Sequence, residues 1–188
     1  WPEFNDTPNR RIKGKFDSLN KIRKFRESIP DWLDALGENA FGSEKWAQEL
    51  KALNEEAAVV LRANMHKTSR KELKVKLASE GIETLELPGL NDALALKERS
   101  NVFQLQSFKE GFFEVQDASS QKVAPLLDVK PGQRVIDACA GAGGKSLHLS
   151  ALMQNKGQLI ALDIYEHKLK TLKLRARRAG AHNIETRT

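Results

Sequence analysis

Apolar residues recur three or four apart through the first part of the chain. Leu19, Ile22 and Phe25, then Ile29, Trp32, Leu33 and Leu36, predict helix within residues 18–54. Pro30 suits a first helical turn, Gly37 marks a helix end, and a further helix runs from Ser43 through Trp46, Leu50 and Leu53. Trp1, Trp32 and Trp46 lie in this helical part, and the last two read as packing residues. A different rhythm follows. Val59, Val60 and Leu61 predict a strand, and Ser69 with Glu72 forms a capping-box pattern that opens a helix ending before Gly81. Residues 82–87 and 93–96 predict two more short strands. This β-α-β-β order suits either a binding module or a plain packing domain.

From Phe112 the pattern changes to alternating strands and helices. Strands are expected at 134–138 and 158–163, helices at 145–153 and 166–178, and a third strand from Asn183. Such alternation implies right-handed βαβ units and a parallel sheet. The chain therefore divides into a helical segment (1–55), a small α+β domain (56–110) and a Rossmann-like α/β part (111–188). It shows no internal repeat, low-complexity tract or long linker.

Composition changes this picture little. With 40% hydrophobic and 30% charged residues, the chain reads as a soluble globular protein without a membrane span. One cysteine among 188 residues excludes an internal disulfide framework and a clustered thiolate metal site, and fits a reducing, cytoplasmic setting. His66, His148, His167 and His182 share no metal-ligand spacing, so no metal is expected. Charge is more informative: residues 1–110 hold 19 Lys and Arg against 18 Asp and Glu, whereas residues 111–188 hold 12 against 7. A local positive excess suits a polyanionic partner, or simply a basic surface. Lys168, Lys170, Lys173, Arg175, Arg177 and Arg178 crowd one helix. Lys170, Lys173 and Arg177 are its candidate RNA-phosphate contacts, and a solvated helix face is the alternative.

The main candidate for chemistry runs from Val135 to Ser146. A strand enters small residues and three glycines and then a helix, so the backbone can pass close to a ligand held at the helix N-terminus. Asp163 follows Gly141 by 22 residues and closes the next strand, where a carboxylate can accept hydrogen bonds from ribose hydroxyls. A phosphate-binding P-loop requires glycine where Cys139 stands, and a dinucleotide fingerprint requires its third glycine at Ser146. S-adenosylmethionine has no phosphate to cradle and tolerates both departures. A tight turn without a ligand is the bland alternative.

The segments Phe113-Glu114-Val115-Gln116-Asp117-Ala118-Ser119-Ser120-Gln121, Pro131-Gly132, Asp137 to Lys145 and Ala161-Leu162-Asp163 resemble the RsmB/Sun/NOP2 family of RNA 5-methylcytosine methyltransferases. The resemblance covers about residues 57–188 and is strongest from 112 onward. It implies a Rossmann-like S-adenosylmethionine-dependent core, with the preceding helices as the end of an RNA-binding helical domain. The cofactor is then held by Cys139, Ala140, Gly141, Ala142, Gly143, Gly144 and Lys145, with Asp163 on its ribose. It also places Gln116 and Asp117 beside the cofactor pocket; read from the residues alone, they are turn and helix-cap positions. The family's loop reads Cys-Ala-Ala-Pro-Gly-Gly-Lys, so Gly141 and Ala142 depart from it.

The implied activity is methylation of cytosine C5 in RNA, with small-subunit ribosomal RNA as the expected substrate. The alternatives are a methyltransferase with another acceptor and a non-catalytic RNA-binding or ribosome-assembly protein. C5 methylation begins with addition of a thiolate to C6, which makes C5 nucleophilic toward the methyl group. The family's two cysteines follow later strands, so no catalytic residue is expected here and the nucleophile is expected beyond Thr188. Cys139, on the cofactor loop, reads as a small residue packed beside a strand end.

Overall fold

A computed structural model describes residues 9–188, and side chains from Ile12 onward. Trp1 lies outside the described residues. The described residues form two compact units that divide between Ala57 and Ala58.

The first unit is helical: α1 (Asn9–Asn20), α2 (Arg23–Arg26), α3 (Asp31–Phe41) and α4 (Ser43–Asn54). Pro30 stands at the N-cap of α3, one position before the first helical turn, and its carbonyl accepts from the Leu33 and Asp34 amides. Gly37 does not end that helix. It is buried in mid-helix, where an added Cβ would stand 2.2 Å from the indole of Trp46, so glycine here admits the ring of α4. Trp46 is buried and donates from Nε1 to Asp34 at 2.9 Å; Arg23 donates to the same carboxylate at 2.7 Å. Trp32, expected to pack, is 67% exposed. Helical spacing identified its face, but α3 packs along the line of Gly37 instead.

The second unit opens with β1 (Val60–Ala63), α5 (Arg70–Ser79), β2 (Thr84–Glu86), β3 (Ala93–Leu96), α6 (Gln106–Lys109) and β4 (Phe113–Val115). The Ser69–Glu72 capping box is present in full. The strands form an antiparallel sheet in the order β2-β3-β1-β4, the ferredoxin-like arrangement. β4 thus joins the small sheet, beyond residue 110. Leu61, Ala63, Leu94 and Phe113 bury one face against Leu73 and Leu77 of α5, while Val60, Ala93 and Ala95 are buried on the other. β1 and β3 are buried at every position, which explains why neither shows a polar–apolar alternation. Arg62 lies opposite Glu114 in the β1–β4 register, and both are buried.

The remainder is Rossmann-like. After α7 (Ala118–Gln121) come β5 (Arg134–Asp137), α8 (Gly144–Leu152), β6 (Gln158–Leu162), α9 (Glu166–Ala179) and β7 (Ile184–Arg187). The three strands are parallel in the order β5-β6-β7. Leu147 of α8 and Leu169, Leu172 and Ala176 of α9 pack on Ala161 of β6, which fixes both helix N-termini at the carboxyl ends of the strands.

Candidate cofactor site

β5 ends at Asp137, whose carboxylate accepts hydrogen bonds from Ser146 Oγ at 2.7 Å and from the Cys139 amide at 3.4 Å. Strand end and helix start are thereby tied, and residues 138–143 form the turn between them. Ala140 is buried; its amide donates to Leu162 O and its carbonyl accepts from the Gly143 amide. Gly143 has φ 87°, and a Cβ there would stand 2.5 Å from Leu172 Cγ. Glycine lets the turn sit against α9 in a left-handed conformation. Gly141 is also left-handed but faces open space, and Gly144 begins α8.

The amides of Ala142, Gly144, Lys145 and Ser146 have no hydrogen-bond partner among the described residues. Donors left free at a helix N-terminus favour an anionic group such as a carboxylate. Asp163 completes the arrangement from the end of β6. Its Oδ1 accepts from the Tyr165 amide at 2.9 Å and its Oδ2 from the Gly141 amide at 2.8 Å. These bonds, that from Tyr165 foremost, hold its carboxyl below the usual carboxylate range. Each oxygen keeps acceptor capacity for a hydroxyl. Free amides and an oriented carboxylate on neighbouring strand ends fit the amino-acid carboxylate and ribose of S-adenosylmethionine.

A cleft of about 170 Å³ adjoins the turn, lined by Gln116, Ser120, Asp137, Cys139, Lys145 and Arg175 among others. Cys139 and Lys145 are exposed. The reading of Cys139 as a packed residue is therefore corrected: Ala140, one residue on, takes the buried position, and the thiol is left in the open. Asp117 caps α7 by accepting from the Ser119 and Ser120 amides, and Gln116 is buried beside Arg62. Two larger cavities, about 430 and 480 Å³, open beside Asp92 and His148 and share no residue with the turn. Burial lowers the pKa of His148 to about 3, so this imidazole is neutral. Among the described residues no group of three or more His, Cys, Asp or Glu could hold a metal ion, and no helix is long and apolar enough to cross a membrane.

The basic helix α9 has two distinct faces. Lys170, Lys173 and Arg177 are exposed, and Lys170 pairs with Glu166 at 3.2 Å. Arg175 and Arg178 turn inward and share the buried Glu114, at 2.8 and 2.6 Å. Those two are internal ion-pair partners rather than phosphate contacts. The motif that contains Glu114 does not by itself give this acid a role; its signal is a lone acid between aromatic and β-branched residues in a short strand.

The chain matches two family models, one described as 16S rRNA methyltransferase RsmB/F over residues 124–187 and one as the RsmF/B-like ferredoxin-like domain over residues 29–103. It is 37% identical over 176 residues to the probable ribosomal RNA small subunit methyltransferase B of Bacillus subtilis, covering 92% of this chain and 39% of the relative. The corresponding Synechocystis protein is 36% identical over 159 residues, covering 84% of this chain and 36% of the relative. The chain thus spans little more than a third of these relatives. A solved methyltransferase homologue from Pyrococcus horikoshii superposes with TM-score 0.79 at 27% identity, covering 90% of this chain and 55% of that one.

Proposed function

The chain belongs to the RsmB/Sun/NOP2 family, and on that premise we propose that it binds S-adenosylmethionine at the turn 139–145 and serves methyl transfer to cytosine C5 in small-subunit ribosomal RNA, in the cytoplasm. The observation that carries this reading is Asp163, a carboxylate fixed by two amides beside a helix N-terminus with four free donors. Bound there, the cofactor supplies an electrophilic methyl group. The amides of Ala142, Gly144, Lys145 and Ser146 receive its carboxylate, and Asp163 accepts from its ribose hydroxyls. Asp163→Ala removes a charge-assisted pair of hydrogen bonds and should weaken binding of S-adenosylhomocysteine about tenfold or more. Calorimetry finding equal affinity in wild type and variant would refute this role.

The exposed face of α9 supplies the RNA contact in this proposal. Reversing Lys170, Lys173 and Arg177 to Glu should weaken RNA binding and flatten its salt dependence. The slope of log affinity against log salt should fall by roughly 0.7 to 0.9 for each phosphate that the helix no longer neutralises. A titration series with an unaltered slope returns the face to bare solvent.

A further inference from the structure

Four charged side chains, two from the small antiparallel sheet and two from α9, meet behind the glycine turn. Glu114, on β4, has a side chain only 4% exposed. It accepts from Arg175 Nε at 3.2 Å, Arg175 Nη2 at 2.8 Å and Arg178 Nη2 at 2.6 Å. With two of its nitrogens so held, Arg175 donates its remaining Nη1 to Ala142 O at 2.8 Å. Arg62, opposite Glu114 on β1, donates from Nη1 to Gly144 O at 2.8 Å and to Gln116 Oε1. Burial lowers the pKa of Arg62 to about 10, which leaves it charged at neutral pH.

We propose that Arg175 and Arg62 are positioning residues for the cofactor: held from the small antiparallel sheet, they fix the turn by the carbonyls of Ala142 and Gly144. This rests on the cofactor reading above. The physical argument is preorganisation. A glycine-rich turn has many accessible conformations, and a ligand that must order it loses affinity to that cost. Charge-assisted bonds from the buried Arg62 and half-buried Arg175 restrict the two carbonyls and with them their peptide planes, the Gly144 carbonyl sharing its plane with the free Lys145 amide and the Ala142 carbonyl with the Gly143 amide that closes the turn on Ala140 O. Two of the four free amides, those of Ala142 and Gly144, belong to the residues whose carbonyls are held. Arg62, Arg175 and Arg178 also outnumber the one carboxylate among them, so positive charge stands behind a turn expected to receive an anion.

The test uses the full-length protein with Arg175→Lys, Arg62→Lys and Arg175→Met. Lysine keeps the charge beside Glu114 or Gln116 but lacks the planar fork needed to reach both partners. Arg175→Met should raise the dissociation constant for S-adenosylhomocysteine about tenfold, and each lysine variant by less. KM for the methyl donor should rise while RNA affinity and the melting temperature of the lysine variants stay near wild type, a split that general destabilisation does not give. Hydrogen exchange at the 142–146 amides should accelerate without ligand. Unchanged exchange in the lysine variants, with affinity within about twofold of wild type, overturns the proposal. A wild-type protein that takes up no S-adenosylhomocysteine instead overturns the cofactor reading, and the exchange rates alone then decide the brace.

Discussion

Replacing Gly143 by alanine should lower stability by about 2–5 kcal/mol and abolish measurable cofactor binding. Two costs add. A non-glycine residue at φ 87° carries roughly 1–2 kcal/mol of left-handed strain. The new Cβ would also stand 2.5 Å from Leu172 Cγ, and overpacking of a buried contact costs about 1–3 kcal/mol. Leu172 is fully buried under the parallel sheet, so relief requires moving α9 or the turn. Either movement displaces the amides. Gly141→Ala is the control: its φ is 54° with nothing within 4 Å of the added carbon, so it should cost only about 1 kcal/mol. Urea denaturation should separate the two variants clearly. Equal midpoints would show that the close approach of Gly143 to α9 is not what requires glycine.

That distinction was only partly legible in the sequence. Strand, glycines, helix, strand and Asp163 were readable because each carries a local backbone demand, and the Ser69–Glu72 box for the same reason. Which glycine touches another element is a tertiary fact; Gly37 shows the same point, since the indole that requires it comes from nine residues further along the chain. β4 escaped notice because three residues carry no period. On α9, counting basic residues hid a division that Leu169, Leu172, Ala176 and Ala179 mark by their spacing. Arg175 and Arg178 flank that inward stripe, and their purpose became visible only once Glu114 was placed across from them.

Cys139 bears on the chemistry more than any other residue. It is the single thiol of these 188 residues, exposed on the turn assigned to the cofactor. If addition of a thiolate to C6 is what activates C5, and Cys139 only borders the cofactor, then these residues alone bind but do not turn over. The most direct measurement is transfer of a radiolabelled methyl group to unmodified small-subunit ribosomal RNA by the 188 residues alone, by the full-length protein and by its Cys139→Ala variant. The expected result is no transfer by the 188 residues, transfer by the full-length protein, and transfer retained in the variant. Transfer by the 188 residues, or activity lost in the variant while cofactor affinity is intact, would contradict it.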